Sequence, residues 1–337
     1  MKHILFIFFL SASVLSFAQI QGTIADRYTH FQLVHKKDTI DFVVVDTSLT
    51  EKKPVLLFCQ GSRPTPLFID AGEQGFFPVT LNNFDLMEMK KRYHVVVISM
   101  PKTPVVAKLE ELNRSFSYVV DTADQRSYAP EYVESDYLEN YVNRGNRVLK
   151  FLSKQKWVEK DEMVIAGHSQ GSRVAVGIAH SNKHVTKLGL FGYNPQRRID
   201  QQVWLIRKRA QKEEISWELA DSLQQQQYAF YEEILNPDSL AKYPMYKSWK
   251  SFSVGSVDEV KGLKIPVYIA FGSEDDVADY CDLLPLDFAE TGKKDYVLVR
   301  YPNLDHNFFP IGSNGEPNYN EGKWVEVMNA FLEWTDD

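Results

Sequence analysis

The chain has 337 residues and a mildly acidic balance, with 45 Asp and Glu residues against 38 Lys and Arg residues. Because its basic residues form no cluster, nucleic acid and anionic membranes are poor candidates for its main partner, and small molecules or peptides are better ones. Only two cysteines are present, so a disulfide framework does not hold a fold of this size.

The amino-terminal segment has the pattern of an export signal. Lys2 precedes a mainly apolar run over residues 4–17, and Ser16 and Ala18 are small residues at the two positions that an export peptidase reads. We predict cleavage between Ala18 and Gln19 and a periplasmic or secreted protein. The alternative is an uncleaved membrane anchor, although the run is shorter than the roughly 20 apolar residues of a spanning helix. No other stretch is apolar enough to span a membrane, so the mature chain is predicted to have no transmembrane segment.

The remaining residues, 19–337, predict one large α/β domain. Residues 31–35 and 39–45 are apolar or alternate around a polar turn, which indicates an antiparallel hairpin that opens the sheet. Six short apolar runs follow without alternation, as expected for parallel strands that are buried on both faces. These runs cover residues 55–59, 94–99, 163–166, 188–192, 267–271 and 296–301.

Two stretches have the apolar spacing of helices that pack on such a sheet. They lie between residues 138 and 152 and between residues 324 and 332. The expected fold is therefore a mostly parallel twisted sheet flanked by helices.

Two long segments are expected to be insertions at the carboxyl edge of this sheet. Residues from about 195 to 264 are helix-rich, polar and too long for an ordinary strand connection, which predicts a helical cap inserted after the sixth strand. Its many aromatic residues either cover a ligand as a roof or form the core that the insertion itself needs. A second insertion, residues 101–139, also follows a strand, at the edge where loops surround the ligand crevice of open α/β sheets.

The most informative motif is Gly167-His168-Ser169-Gln170-Gly171, a G-x-S-x-G pattern between a predicted strand and a predicted helix. Such a turn presents the serine hydroxyl on a strained backbone, and small flanking residues are needed because the turn lies close to the next strand and helix. Asp275 follows the strand at 267–271. His306 follows the last strand, so Ser, Asp and His come in the order of an α/β-hydrolase triad. The sequence therefore resembles the α/β-hydrolase family over nearly all of the predicted mature chain.

The candidate catalytic residues follow from this resemblance and from the chemistry of a serine nucleophile. Ser169 needs a neutral imidazole to accept its proton, and His306 is the best-placed histidine. The imidazole in turn needs a carboxylate on its far nitrogen, for which we select Asp275, because the spacing from Gly272 resembles the acid turn of the family.

Other carboxylates stay open as alternatives to this acid. Glu274, Asp276 and Asp279 are close neighbours in the sequence, and Asp276 is the first alternative among them. Asp200, beyond the sixth strand, is a more distant one.

An oxyanion intermediate would need two backbone N–H donors. We expect one from Gln170, the residue after the nucleophile, and the second from Gly61 or Ser62 in the loop after residues 55–59. Gln60 stands where the family commonly has the histidine of a His-Gly motif, so this loop departs from the family pattern. The alternative is a tight turn that merely needs Gly61.

Arginines near these loops are candidates for binding a substrate carboxylate. Arg63 lies beside the predicted oxyanion loop and is our substrate-binding candidate, while Arg197 and Arg198 begin the predicted cap. No metal-ligand spacing, phosphate loop or dinucleotide fingerprint is found, so we predict neither a metal nor another cofactor.

The cysteines allow one disulfide, since Cys59 and Cys281 both fall near the predicted catalytic edge. Two free, buried thiols are the favoured interpretation. Neither is expected to be a nucleophile, because Ser169 occupies the turn that presents one.

The resemblance implies an exported serine hydrolase that cleaves a carboxylic ester through an acyl-enzyme intermediate. Two alternatives remain. The motif and the triad order also resemble the catalytic domain of prolyl-oligopeptidase-like serine peptidases, although the chain has no room for an amino-terminal propeller. A catalytically silent binding protein of the same fold is the other alternative.

Overall fold

The computed structural model describes residues 18–35 and 38–336, so the predicted export signal, apart from Ala18, lies outside the described residues. The strands are β1 (Ala18–Ile24), β2 (Tyr28–His35), β3 (Asp38–Val44), β4 (Lys53–Cys59), β5 (Phe68–Asp70), β6 (Phe76–Pro78), β7 (His94–Ile98), β8 (Val106–Lys108), β9 (Val158–His168), β10 (Lys187–Phe191), β11 (Val267–Gly272) and β12 (Tyr296–Tyr301). The helices are α1 (Leu86–Arg92), α2 (Pro130–Ser135), α3 (Leu138–Leu152), α4 (Gln170–Ser181), α5 (Arg198–Gln211), α6 (Trp217–Leu235), α7 (Pro237–Lys242), α8 (Met245–Phe252), α9 (Val257–Gly262), α10 (Ala278–Cys281), α11 (Leu284–Thr291) and α12 (Trp324–Thr335).

Nine of these strands form one large sheet, in the order β1-β2-β3-β7-β4-β9-β10-β11-β12. Neighbouring strands from β7 to β12 pair in parallel. The six runs that were predicted as parallel strands all lie in this part of the sheet, so their parallel pairing is confirmed. Burial on both faces holds for five of them, but not for β12, which lies at the edge of the sheet and has no fully buried residue. Their continuous apolar sequences suit strands with helices on both sides.

The other end of the large sheet is antiparallel. β2 and β3 form the predicted hairpin, and β3 joins the parallel strands through β7. The hairpin does not open the sheet as predicted, because β1 precedes it and pairs with β2. β1 has a register shift between Ile20 and Gly22 and is exposed from Gln19 to Thr23, so it lacks the apolar run that marks a central strand.

The two faces of the sheet carry separate hydrophobic cores. Side chains alternate along β4, so Val55 and Leu57 pack with α3 and α4, whereas Leu56 and Phe58 belong to the core that includes α12 on the opposite face. The two predicted amphipathic helices, α3 and α12, therefore lie on opposite faces of the sheet and hold its parallel strands between them.

Five helices, α5 to α9, lie between β10 and β11 at the carboxyl edge of the sheet. The strand before them, predicted to be the sixth, is the seventh of the large sheet, because β1 was not predicted. Within the insertion, Phe230 packs edge-on against Tyr246 and Trp249, with ring centroids 5.4 and 5.2 Å apart. Part of its aromatic content thus forms the internal core of the insertion.

A second, smaller sheet was not predicted. It has the order β6-β5-β8 and joins the segment after β4 to the first residues of the insertion at 101–139. Across residues 18–35 and 38–336, no helix combines the length and the apolar character that a membrane span requires.

Candidate active site

The candidate site lies where five loops meet at the carboxyl edge of the parallel strands. These loops follow β4, β9, β10, β11 and β12, which are neighbours in the sheet. They carry Gly61, Ser169, Gly192, Asp275 and His306, respectively. Since parallel strands end at the same edge, residues far apart in sequence converge on one place.

Ser169 occupies a strained turn between β9 and α4. Its φ of 56° and ψ of −126° are unusual for a residue with a side chain and cost on the order of 1–3 kcal/mol. A Cβ on Gly171 would lie 2.1 Å from the carbonyl oxygen of Cys59, and a Cβ on Gly167 would lie 2.3 Å from that of Gly171. The two glycines of the motif are thus needed because strand, turn and helix approach closely.

His306 and Asp275 form a hydrogen-bonded pair beside this turn. The Nδ1–H of His306 donates to Oδ2 of Asp275 at 2.9 Å, and Asp275 is 2% exposed. The other carboxylate oxygen accepts the N–H of Val277 at 3.1 Å, which fixes the orientation of the acid. With its proton held on Nδ1, the neutral imidazole presents Nε2 as an acceptor.

Two opposing effects set the proton affinity of this imidazole. Burial lowers the pKa of His306, but the hydrogen bond and the negative charge of Asp275 outweigh burial and hold the pKa above its ordinary value. The ring is therefore a stronger base than a free histidine side chain.

The other carboxylates considered from the sequence have different surroundings. Glu274 and Asp276 are exposed, Asp279 accepts a hydrogen bond from an indole N–H, and Asp200 pairs with an adjacent arginine. Among the five candidates, Asp275 is the one that contacts the imidazole.

Gly192 makes room for this pair, and sequence reasoning did not single it out. It has a φ of 53°, and a Cβ there would lie 2.9 Å from Cε1 and 3.0 Å from Nδ1 of His306. The same Cβ would lie 3.3 Å from Oδ2 of Asp275. The sequence feature that could have identified it is a glycine directly after a buried parallel strand.

His168, the variable residue before the serine, was also missed. Burial, assisted by the nearby His306, lowers the pKa of His168 to about 3, so the ring is neutral. Its Nε2–H donates to the backbone carbonyl of His306 at 2.9 Å, and its ring packs edge-on against Trp324. His168 thereby positions the loop that carries His306.

The predicted oxyanion donors border the serine. Gln170 is the first residue of α4, where backbone N–H groups have no partner within the helix and the helix dipole is positive. Gly61 lies beside the nucleophile, since a Cβ there would be 3.7 Å from the Cβ of Ser169. The side chain of Gln60, which departs from the family pattern, donates to the carbonyl of Ile98 at 2.9 Å and accepts from Thr80 at 2.7 Å. It therefore anchors the loop.

A cavity of about 350 Å³ opens at Ser169 and His306. Both predicted insertions contribute to its wall. The lining residues from the loop after β4, from the segment 101–139 and from the five-helix insertion include Ser62, Arg63, Tyr128, Tyr132, Asp136, Arg198, Trp249 and Phe252. Arg63 and Arg198 thus lie at the cavity, whereas Arg197 pairs with Asp200 at 2.7 Å.

The two cysteines are both free thiols. Burial raises the pKa of Cys59 to about 12 and also raises the pKa of Cys281, which disfavours the reactive thiolate. In the part of the chain that the structure describes, no cluster of three or more His, Cys, Asp or Glu side chains is arranged to hold a metal ion.

Solved structures with the same architecture include peptidases and a thioesterase. The chain matches Pyrococcus horikoshii acylaminoacyl peptidase with a TM-score of 0.53 and 12% identity, over 90% of this chain and 41% of that one. An acylaminoacyl peptidase in complex with Z-Gly-Gly-Phe-chloromethyl ketone gives 0.53 at 14% identity, also over 90% and 41%. A thioesterase domain from the curacin biosynthetic pathway gives 0.50 at 14% identity, over 91% of this chain and 98% of that one.

These matches, together with the parallel sheet and the strained turn after β9, define the fold of the protein. It has the α/β-hydrolase fold. The fold that was expected from the sequence resemblance is confirmed. A scan against protein-family models and a search of curated proteins both find no match.

Proposed function

We propose that the protein is a serine hydrolase that cleaves a carboxylic ester through Ser169, His306 and Asp275. The observation that carries this proposal is the 2.9 Å hydrogen bond between buried Asp275 and half-buried His306, which lies at the same cavity as a serine with a φ of 56°. An orienting acid, a basic imidazole and a strained, presented hydroxyl are the three parts that acyl transfer to a serine needs.

The proposed reaction has two stages. The hydroxyl of Ser169 attacks the ester carbonyl while its proton passes to Nε2 of His306, and the charge of Asp275 stabilises the imidazolium. The N–H of Gln170 and a second N–H from Gly61 or Ser62 stabilise the oxyanion. His306 then protonates the departing alcohol, and a water molecule deprotonated by the same imidazole releases the acyl group.

In this proposal the insertion at about 195–264 serves as a cap. Support comes from Arg198, Trp249 and Phe252, which line the cavity although they belong to the insertion. The cap would therefore contribute to substrate selection.

We also propose that the protein is exported and cleaved between Ala18 and Gln19. The support is the sequence pattern of residues 4–18. The intact mass of the protein recovered outside the cytoplasm tests this proposal, because a chain that keeps residues 1–18 would contradict it.

A peptidase is the second candidate function. The observation that favours it is the match in fold to acylaminoacyl peptidases, although this chain spans 41% of their length. A catalytically silent binding protein is the third candidate.

Hydrolysis assays separate these candidates. Purified protein that begins at Gln19 is given p-nitrophenyl butyrate and an N-acetylalanine p-nitroanilide, with Ser169→Ala as the test variant and Ser222→Ala, an exposed serine on α6, as its matched control. We expect ester hydrolysis that falls by about 10³-fold or more in Ser169→Ala alone. Faster cleavage of the anilide would favour the peptidase, and no hydrolysis of either compound would favour the binding protein.

A further inference from the structure

The cavity has a charge opposite to that of the whole chain. The formal net charge of the protein is −7, yet the charged side chains that line the cavity are three arginines, Arg63, Arg173 and Arg198, and one carboxylate, Asp136. Arg173 is paired with Glu259 at 3.2 Å. A positive surplus therefore remains at Arg63 and Arg198.

Arg198 is held firmly, but by neutral groups. One terminal nitrogen donates to the side-chain oxygen of Gln170 and the other contacts the hydroxyl of Ser248 at 3.4 Å. The guanidinium also lies over the rings of Phe252 and Trp249, with its central carbon 4.6 and 5.5 Å from their centroids. Stacking fixes the plane of the group and leaves in-plane N–H donors for a ligand, because a guanidinium has five of them.

Asp136 is the nearby charge that would compete for Arg198. Its two carboxylate oxygens accept hydrogen bonds from Tyr141 and Ser248, both at 2.8 Å. Burial lowers the pKa of Arg198, and the charge of Asp136 opposes this shift, but a guanidinium stays protonated at neutral pH. The cation at the cavity is therefore permanent, half-buried and bonded to neutral groups.

Arg198 lies close to the proposed reaction centre. Its partner Gln170 is the residue next to the nucleophile and supplies the proposed oxyanion donor. The rest of the cavity wall includes four side-chain amides. A long hydrocarbon chain bound against them would displace water and leave their hydrogen bonds unmade. These amides are Asn194, Gln196, Gln201 and Gln202. A short acyl group that ends in an anion fits this wall better than a fatty acyl group.

We propose that Arg198 binds a carboxylate of the substrate, so that the preferred substrates are esters whose acyl group carries a second, anionic carboxyl group. This inference rests on the proposed hydrolase function and names its substrate class. Arg198 is then a specificity-determining residue that contacts the substrate, and it distinguishes monoanionic esters from neutral ones of the same length.

The test compares matched pairs of ethyl esters. The monoethyl esters of succinate, glutarate and adipate are compared with ethyl valerate, hexanoate and heptanoate, and proton release is followed in a pH-stat. The variants are Arg198→Gln, Arg198→Lys, Arg63→Gln and, as a control on the same helix as Arg198, the exposed Arg207→Gln. The measured quantity is the ratio of kcat/KM for the monoanion to kcat/KM for its neutral partner.

We expect the unmodified enzyme to favour at least one monoanion. Arg198→Gln should lower the ratio by about 10- to 100-fold, mainly through KM, because charge-assisted hydrogen bonds are lost. Arg198→Lys should keep part of the preference, and Arg207→Gln should keep all of it. A merely structural role for Arg198, such as support of Gln170, would lower both rates together and leave the ratio unchanged.

Several results would overturn the inference. They are a preference for the neutral esters, a ratio that Arg198→Gln leaves unchanged, and a ratio that collapses in Arg63→Gln alone. If Ser169 hydrolyses neutral esters but no monoanion is preferred, this inference fails and the proposed function stands. If no ester is hydrolysed at all, both fail.

Discussion

At the scale of single residues, Asp275 and Asp276 are adjacent carboxylates that differ in burial and in their hydrogen-bond partners. Asp275 is almost inaccessible to solvent, and its two carboxylate oxygens accept hydrogen bonds from His306 and from the N–H of Val277. Asp276 is exposed. Asp275 follows Gly272 at the spacing of the family's acid turn, but Asp276 is also an aspartate, so sequence alone could not exclude it. The backbone turn after β11 decides which of them points inward.

We expect Asp275→Asn to reduce kcat/KM for an ester by up to about 10⁴-fold, because the imidazole loses its orienting, charge-stabilising partner. Asp276→Asn is the matched control and should have little effect. The variants are compared on the same ester with far-UV circular dichroism as a check of folding. Equal losses in the two variants would contradict the assignment of the acid.

The pH dependence of the same variants gives an independent measure. In the proposed mechanism, activity requires neutral His306 and rises with pH through the pKa of this group. Burial lowers this pKa, but Asp275 outweighs burial and holds it above its ordinary value. Removing the negative charge lowers that pKa, so the residual activity of Asp275→Asn should have its acidic limb at lower pH. The kcat/KM profile checks this, and a limb moved to higher pH would argue against the pair.

A substitution at Gly192 tests the pair of His306 and Asp275 without replacing either residue. In Gly192→Ala the new Cβ would lie 2.9 Å from the His306 ring, so the pair must shift, and the φ of 53° adds backbone strain. We expect a loss of activity in a protein that still folds. Gly262→Ala is the control, because a Cβ there meets nothing within 4 Å. Full activity in Gly192→Ala would show that His306 is not held as described.

At the scale of elements, the buried strands and the amphipathic helices were the most predictable part of the chain. Continuous apolar runs mark β4, β7, β9, β10 and β11 because both faces of these strands are covered, whereas β12 is a partly exposed edge strand. β1 and the small sheet of β5, β6 and β8 were missed. These strands are short or exposed, and long-range pairing rather than local pattern defines them.

The helix α12 illustrates how packing on the sheet gives stability. Phe331 is 0% exposed and packs over Gly189, where a Cβ would come within 2.5 Å of the aromatic ring. We expect Phe331→Ala to lower the free energy of unfolding by about 3–5 kcal/mol, because it leaves a cavity between helix and sheet. Val325→Ala on the same helix, 44% exposed, should change it by about 0.5 kcal/mol or less. Urea denaturation measures both, and similar values would contradict this packing.

At the scale of the whole molecule, the fold could be predicted from the order and spacing of motifs, but the specificity of the cavity could not. Ser169, Asp275 and His306 are each marked by a strand that ends just before them. The contacts of Arg198 with Gln170, Phe252 and Trp249 depend on how the five-helix insertion packs at the carboxyl edge of the sheet. No periodicity in the sequence encodes that arrangement.

The central claim, an activated serine at position 169, is tested most directly by labelling with a fluorophosphonate probe. Protein that begins at Gln19 is labelled, the adduct is located by mass spectrometry, and Ser169→Ala and His306→Ala are compared with His184→Ala, an exposed histidine. We predict one adduct, on Ser169, that is lost in the first two variants and kept in the third. A folded protein that is not labelled, or an adduct on Ser169 that persists without His306, would contradict the account.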